Sequence, residues 1–331
     1  MEADMLVRMF LGGNTADGFK SYFDERLAPM KKIYILKGGA GTGKSTLMKK
    51  VGDFAECEGL KTQLWYCSGD VKSLDGVCIV DKAIAIVDGT APHVVEAKYP
   101  AVRDKLIALG DYIDEGKVLP YYEEIASLCS EKAKRYNRAY RHLKTAKFFE
   151  DTINDECEII RPKLVQICSK VAYEVRKLTK ITRQFMTAIS PQGVVNFDDC
   201  LDGKQLISLN YDYPKQRETF FEILTDMLCG YEAYMNPLGS GIDCLVVGRY
   251  AIVSYVSEKA GEVVDLNLAL KKAPSDMAYE KAEFERYISY ATDELSKARE
   301  AHLKVEDIYI PAMDFDGVNF ETEKILGEIF S

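Results

Sequence analysis

Apolar and polar residues follow two different patterns along the chain, and these patterns alternate. Up to about residue 118, short apolar runs are separated by turns rich in glycine and small polar residues, which is typical of an α/β fold. From about 119 to 180 glycine is almost absent, and apolar residues recur at helical spacing. Strand-like segments return from residue 183, and 277–305 is again a charged helical stretch. The order predicts two α/β segments, each followed by long helices.

Individual elements can be predicted from the same pattern. Short runs rich in β-branched and aromatic residues predict three strands in the first segment, at 5–12, 61–67 and 77–88, the last interrupted near Asp81. Other patterns predict helices at 18–29 and 101–113 and a polar loop at 67–76. The glycine-poor stretch predicts a long helical hairpin over about 116–180 that reverses near Pro162; helices that simply cover the sheet are the alternative.

A glycine-rich turn follows the apolar run 33–36 and precedes a helical pattern. The turn, Gly38–Ser45, reads GGAGTGKS and matches the P-loop pattern G-x-x-x-x-G-K-[ST] at every position. Glycines let successive backbone N–H groups face phosphate oxygens, and the positive end of the next helix faces them too. Lys44 is predicted to contact the β- and γ-phosphates as a catalytic residue, and Ser45 to bind Mg²⁺. The predicted nucleotide-binding residues are Gly38, Gly39, Ala40, Gly41, Thr42, Gly43, Lys44, Ser45 and Thr46.

A second carboxylate and several candidate bases follow the turn. The segment 84–88, IAIVD, has the form of a Walker B strand, which predicts Asp88 as a catalytic residue and Mg²⁺ ligand; a strand that ends at an ordinary Asp-Gly turn is the alternative. No glutamate follows Asp88, so the general base stays open. The candidates are Asp70 and Asp75 in the polar loop and His93 in the turn TAPH, and each could equally be a turn or surface residue.

Motifs of the first segment recur in the same order in the second. Four pairs of segments match: 8–11 with 183–186, 32–48 with 205–221, 76–88 with 242–254, and 141–144 with 301–304. The offset shrinks from 175 (183 − 8) to 160 (301 − 141), as duplication followed by small deletions would produce. We therefore predict a P-loop half over 1–180 and a degenerate half over 181–331, both built on parallel sheets. Arg8 and Arg183 fall on matching strands, as structural ion pairs or, alternatively, as arginine fingers.

The second copy departs from the first at the phosphate-binding turn. Larger or charged residues replace the motif, namely Tyr211, Tyr213, Gln216, Arg217 and Glu218. Bulky side chains would fill the cradle, Glu218 would bring a negative charge to it, and Ser254 stands where the first half has Asp88. The sequence predicts that the second half does not bind a nucleoside triphosphate in the usual way.

Composition indicates which partners and which cellular location to expect for the protein. The chain has 331 residues, a net charge of −9 and nine cysteines. The negative charge weighs against a nucleic-acid partner, and the wide spacing of the cysteines is typical of free thiols in a reducing compartment. A signal-peptide pattern and a membrane-length apolar run are both missing, so we expect a soluble cytoplasmic protein with no membrane partner. The helical arms could hold a protein partner or a second copy.

Six segments spread over most of the chain carry motifs of one protein family: FLGGNTADGF (10–19), ILKGGAGTGKSTLMKKVG (35–52), SLDG (73–76), AIVDGTAPHVVEAKYP (85–100), LGDYID (109–114) and RQFMTAISPQG (183–193). On these segments the chain resembles uncharacterised bacterial P-loop ATPases with two tandem P-loop halves. The resemblance implies ATP binding, and it names no substrate. Family members often carry an intact second P-loop, from which this chain departs.

Three functions fit these predictions. The first is an Mg²⁺-dependent ATPase whose hydrolysis moves the helical arms. The second is a small-molecule kinase in which the loop 67–76 and the turn around His93 form an acceptor pocket. The third is a nucleotide-gated interaction protein with little turnover. All three use ATP, since the guanine-specific N-K-x-D pattern is missing from the sequence.

Overall fold

The computed structural model describes residues 6–175, 180–239 and 241–331, which form two six-stranded sheets with helices around them. The first α/β segment contains β1 (Leu6–Met9), β2 (Gly12–Thr15), β3 (Gly18–Ser21), α1 (Phe23–Leu27), β4 (Lys32–Lys37), α2 (Lys44–Cys57), β5 (Thr62–Cys67), β6 (Asp70–Ile79), β7 (Ile84–Asp88) and β8 (Asp104–Ala108). It is followed by α3 (Glu115–Val118), α4 (Tyr122–Glu156), β9 (Glu158–Ile159) and α5 (Arg161–Val175).

The second segment repeats this series of elements. Its strands and helices are β10 (Thr182–Gln184), β11 (Thr187–Ser190), β12 (Gly193–Asn196), β13 (Gln205–Asn210), α6 (Pro214–Met227), β14 (Glu232–Met235), β15 (Ile242–Val247), β16 (Tyr250–Val253), β17 (Glu262–Asp265), β18 (Leu270–Lys272), α7 (Ala278–Tyr309) and α8 (Phe315–Phe330). The prediction of a long helix over 277–305 is confirmed by α7, and the strands predicted at 61–67 and 77–88 are confirmed by β5, β6 and β7.

The two sheets have the same strand order. The first sheet runs β1-β5-β6-β7-β4-β8 and the second runs β10-β14-β15-β16-β13-β17. In each, β6 or its counterpart β15 is antiparallel to both neighbours, and the remaining pairs are parallel. The α/β class is confirmed, and the repeated order is that of a duplicated fold. The prediction of parallel sheets is correct for three of the five strand pairs in each sheet and wrong for the two pairs that β6 or β15 makes. In the first sheet the connections at 68–69 and 80–83 are too short for a crossover between parallel strands.

Three local predictions are corrected by sheet pairing. The predicted loop over 67–76 is mostly strand β6, which pairs with β5 across a short turn. The predicted helix over 101–113 contains the strand β8, which pairs with β4 at the edge of the sheet. The predicted helix over 18–29 is divided between β3 and the short α1. In each case hydrogen bonds to a neighbouring strand outweigh the local helical or loop-like pattern.

The two halves contact each other at equivalent positions of the repeat. Phe10 and Phe185 exchange both backbone N–H···O hydrogen bonds, each 2.9 Å long. Both rings are fully buried. The Asn14 side-chain amide donates to the carbonyl of Ile189 at 2.9 Å, across the same separation of 175 residues that the repeat has. The duplicated segments therefore meet at equivalent positions of their own repeat, as the two subunits of a symmetric dimer do.

The matching arginines form ion pairs between the halves. The guanidinium of Arg8 lies 2.7 Å from the carboxylate of Asp199, and that of Arg183 lies 2.8 Å from the carboxylate of Glu25. Each arginine therefore joins its own half to the other half. This arrangement is the structural ion pair rather than the arginine finger.

The long helices are exchanged between the halves. Helix α4 packs along α7, and the segment 116–180 forms no hairpin within its described residues. Instead α5 completes the core of the second sheet with α6, and α8 completes the core of the first sheet with α2. The predicted hairpin is wrong because Pro162 lies at the start of α5 instead of reversing α4. A boundary at 180/181 stays a prediction. In the described part of the chain, no helix is long and apolar enough to cross a membrane.

Sheet register gives a more accurate alignment of the repeat than sequence matching. Cys244 occupies the register position of Gly76 rather than that of Cys78, because the turn after β15 is shorter than the turn after β6. Asp243 is therefore the counterpart of Asp75. In the arms, the fully buried residues of α4 recur in α7 at an offset of 152 (291 − 139), not 160; they are Ala139, Leu143 and Ala146, and Ala291, Leu295 and Ala298.

Candidate functional site

The glycine-rich loop 38–43 connects β4, a buried strand that lies between β7 and the edge strand β8, to α2. Gly41 and Gly43 have φ angles of 72° and 87°, in the left-handed region that favours glycine. A Cβ on Gly38 would lie 2.7 Å from the Thr42 hydroxyl, so this position also requires glycine. The conformation of the loop thus accounts for the glycines at positions 38, 41 and 43 without reference to a ligand. Of the nine predicted nucleotide-binding residues only Thr42 is buried; Gly39 and Thr46 are exposed, and the other six are half-buried.

Lys44 is the first residue of α2, and its side chain folds back over the loop. Its Nζ donates to the carbonyls of Gly38 and Gly39 at 2.7 Å each, and it lies 3.7 Å from Oδ2 of Asp88. The side chains of Lys44 and Asp88 are only 11% and 15% exposed. A cation is therefore held at the mouth of the loop, beside backbone N–H groups at the positive end of a helix, which is a favourable place for an anion.

Two side chains, Asp88 and Ser45, contribute oxygen atoms to this site. Strand register pairs Leu36 with Asp88, so the carboxylate emerges at the end of the strand next to β4. One oxygen of Asp88 accepts the backbone N–H and the hydroxyl of Thr90, at 2.8 and 2.6 Å, while the other faces the lysine ammonium. The Ser45 hydroxyl accepts the backbone N–H of Leu74 at 2.9 Å. A hydroxyl and a carboxylate are oxygen ligands of the kind Mg²⁺ prefers, so this donor set fits the ion.

Two buried side chains form a candidate acid–base pair beside the loop. His93 Nε2 lies 3.7 Å from Oδ1 of Asp75, and the imidazole stacks on Phe23 with ring centroids 4.9 Å apart. Neither ring nitrogen of His93 makes a hydrogen bond to the described residues. Burial raises the pKa of Asp75, His93 opposes that rise, the Asp88 carboxylate adds to it and Lys44 opposes it. These four side chains therefore interact within one low-dielectric region.

Asp70, the other predicted base, has different partners. One oxygen of its carboxylate accepts a hydrogen bond from Nε of Arg299 at 3.2 Å, and the other accepts a hydrogen bond from the hydroxyl of Ser73 at 3.0 Å. Arg299 belongs to α7, which comes from the second half of the sequence. The structure thus engages Asp70 in an ion pair between the halves and brings His93 to Asp75.

In the second half the corresponding loop is 211–213, and its backbone N–H groups already donate hydrogen bonds to a protein side chain. Helix α6 begins three residues sooner after its strand than α2 does (44 − 37 against 214 − 210). The N–H groups of Asp212 and Tyr213 donate to the Gln216 side chain at 3.2 and 3.0 Å, and the N–H of Lys215 donates to Oδ1 of Asn154 at 2.8 Å. Side-chain oxygens of the protein therefore already occupy the donors that a phosphate would need.

A buried ion pair stands where the first half has Lys44 and Asp75. Arg217 Nη1 lies 3.4 Å from Oδ1 of Asp243, and the amide of Asn236 donates to the same oxygen at 2.9 Å. Burial raises the pKa of Tyr211, whereas Arg217 and hydrogen bonds with Arg217 and Ser254 oppose the rise. The second site has therefore kept a cation and a carboxylate and has been filled by a tyrosine.

Comparisons of the chain with protein-family models, with curated proteins and with solved structures found no match. The chemistry of the site is therefore inferred from its own side chains. Among the described residues, no group of three or more His, Cys, Asp or Glu side chains is arranged to hold a metal ion. A metal at the loop would depend on one hydroxyl and one carboxylate from the protein, together with ligands from a bound nucleotide.

Sequence reasoning missed the residues that α7 brings to the loop. Besides Arg299, Glu306 lies over the loop, since a Cβ placed on Gly41 would lie 3.5 Å from its Cα. The helical pattern of α7 shows which face is apolar, and it contains no signal for what that face covers. Asp75 was among the candidate bases, and its counterpart Asp243 is recognised only when the strands are aligned by register.

Proposed function

We propose that the chain binds ATP together with Mg²⁺ at the loop Gly38–Ser45 and hydrolyses it, with one working site per chain. The observation that carries this proposal is the register of β4 against β7, which brings Asp88 to 3.7 Å from Lys44 at the mouth of the loop. A cation, a carboxylate and the start of a helix then converge at one point. That combination supports binding of a phosphate group with its metal ion.

Each part of the loop has a role in this proposal. The Lys44 ammonium exchanges the carbonyls of Gly38 and Gly39 for phosphate oxygens, and the N–H groups at the start of α2 bind the same phosphates. Ser45 and Asp88 supply the protein ligands of Mg²⁺. When bound, the ion neutralises negative charge on the phosphates.

The pair of Asp75 and His93 supports hydrolysis rather than binding alone. In hydrolysis the water oxygen bonds to the γ-phosphorus, the bond from that phosphorus to the bridging oxygen breaks, and the water loses a proton. Asp75 is the proposed acceptor of that proton, since its raised pKa brings it nearer to neutral pH. His93, 3.7 Å away, positions the carboxylate. A single site is supported by the second loop, whose donors already bind side chains.

The proposed location is the cytoplasm. All nine cysteines are free thiols, five of them buried, as expected in a reducing compartment. A protein partner or a second copy at the exposed parts of the helical arms stays a proposal.

Phosphate release from ATP and Mg²⁺ by the purified protein tests the proposed activity. Steady release without any acceptor is expected. Product formed only when a metabolite pool is added would indicate a kinase, and tight binding without turnover would indicate a nucleotide-gated interaction protein. The variant Lys44→Ala should weaken ATP binding at least about tenfold while remaining folded. Unchanged ATP affinity in this variant would remove the basis of the proposal.

A further inference from the structure

The first turn of α8 packs against the last glycine of the glycine-rich loop. A Cβ placed on Gly43 would lie 3.5 Å from a methyl carbon of Val318 and 3.7 Å from the ring of Phe315. Val318 is buried, whereas Phe315, about one turn earlier, is 40% exposed. An aromatic side chain with accessible surface therefore lies beside the loop at the point where α2 begins.

This aromatic ring and the candidate metal ligand reach the loop from different sides. The strand that leads into the loop, β4, pairs on one side with β7, which ends at Asp88, and on the other side with β8. The chain continues from β8 into 109–112, and the ring of Tyr112 packs directly against Gly317 of α8. Asp88 thus belongs to the β7 side of the loop, and Phe315 belongs to the β8 side.

Hydrogen bonds fix the start of α8 in place. The Asp314 carboxylate accepts the backbone N–H groups of Asp316 and Gly317 at 3.1 Å each, as an N-terminal cap. The N–H of Asp314 itself donates to the carbonyl of Tyr112 at 2.8 Å. Phe315 is therefore held by a capped helix, and a ring that is already positioned costs little ordering when a ligand binds to it.

The second half has no aromatic residue at the equivalent position. The buried positions of α8 recur in α5 at a constant offset of 154 (318 − 164). They are Val318, Thr322, Ile325 and Ile329 in α8, and Leu164, Cys168, Val171 and Val175 in α5. At this offset Phe315 corresponds to Arg161, whose guanidinium lies 3.1 Å from the carboxylate of Glu222. The aromatic ring therefore accompanies the intact glycine-rich loop, and an ion-paired cation accompanies the degenerate loop.

We propose that Phe315 is the base-binding side chain of the nucleotide site, on which the base of the nucleotide stacks while the loop holds its phosphates. This inference deepens the proposed function and rests on it. The ribose is short, so the base of a nucleotide that is bound through its phosphates stays close to the loop. Asp88 places the metal-bound phosphates on the β7 side, which leaves the β8 side, with its exposed ring, for the base.

The contact defines the class of ligand. Every nucleobase has a π-face that can stack on an aromatic ring, so stacking recognises an aromatic base without selecting adenine. Inorganic polyphosphates lack that base and bind through the loop alone. Because α8 comes from the end of the second half, each half supplies a different part of one site: the first half binds the phosphates and the second half binds the base.

Calorimetric titration of three full-length proteins tests this proposal: wild type, Phe315→Ala and the control Phe320→Ala. Phe320 is a 72% exposed ring of the same helix, on the side opposite to Val318. The probes are ATP and inorganic tripolyphosphate, each with Mg²⁺. Phe315→Ala should bind ATP about tenfold more weakly than wild type and tripolyphosphate equally well, because it loses only the stacked base. The control should bind both probes like wild type.

Unchanged ATP affinity in Phe315→Ala would overturn the inference, and so would an equal loss of affinity for both probes, since the ring would then support only the loop. If Phe315→Ala does not fold, Phe315→Leu keeps an apolar contact with Gly43 and removes the π-face, so the same loss for ATP alone is expected. The proposed function fails separately. If folded wild type binds neither probe, the loop is not a nucleotide site. If it binds both probes equally tightly, the phosphate site stands and the base contact is wrong.

Discussion

Replacing Arg217 by methionine tests how the second site has diverged from the first. Arg217 is the counterpart of Lys44 in the repeat, yet it is 6% exposed and lies 3.4 Å from the carboxylate of Asp243. Methionine keeps much of the volume and removes the charge. We expect Arg217→Met to destabilise the fold and to leave ATP binding intact, whereas Lys44→Met should abolish ATP binding.

The size of the effect follows from the burial of the pair. Removing one partner of a buried ion pair costs about 3–5 kcal/mol, because the other charge stays behind without compensation. Asp243 retains its 2.9 Å hydrogen bond from Asn236, which places the expected loss near the lower end, about 3 kcal/mol. The double variant Arg217→Met/Asp243→Asn should recover most of that loss, because it leaves no buried charge unpaired.

Urea unfolding at pH 7 measures this loss, with Arg249→Met on an exposed turn as the control. Burial raises the pKa of Asp243, and Arg217 opposes that rise, so the variant raises the folded-state pKa further above the unfolded one. A raised carboxyl pKa favours the fold when the group is protonated. The destabilisation should therefore be largest at pH 7 and shrink toward about pH 4. A loss under about 1 kcal/mol, or a matching loss of ATP affinity, would refute the reasoning.

Three further predictions concern the fold and the proposed mechanism. Phe185→Ala, at the contact between the halves, should cost about 3–5 kcal/mol in a single cooperative urea transition; two separate transitions would show that the halves fold independently. Asp88→Asn should weaken ATP binding about tenfold with Mg²⁺ and much less without it, as measured by calorimetry; equal weakening in both would exclude a metal role. Asp75→Asn should lower kcat at least about a hundredfold with unchanged ATP affinity, and a normal kcat in phosphate release would remove it from the mechanism.

The sequence was sufficient for features that depend on local chemistry. The glycines of the loop require particular backbone angles, and the apolar run before them can only be a buried strand, so both were predictable. The position of Asp88 beside the loop could be predicted because a short apolar strand that ends in a carboxylate has the form of a Walker B strand. The duplication was visible because motif order survives small deletions, although the match of 141–144 with 301–304 does not correspond to the packing of the two long helices.

Features that depend on contacts between distant segments could not be predicted. The antiparallel β6 reads as a polar loop, because several of its side chains, Asp75 among them, face polar neighbours instead of a hydrophobic core. The exchange of arms is hidden for a similar reason. An amphipathic helix shows that it has a partner without showing which one. Glu306 is a surface-like residue in a charged helix until that helix is placed over Gly41.

The number of nucleotides bound per chain tests the central claim most directly. Titration of the wild-type protein with ATP and Mg²⁺ should reach saturation at one nucleotide per chain, Lys44→Ala should bind none in the same concentration range, and Arg217→Met should still bind one. Two nucleotides per chain, or one that persists in Lys44→Ala and is lost in Arg217→Met, would contradict a single site at the glycine-rich loop of the first half.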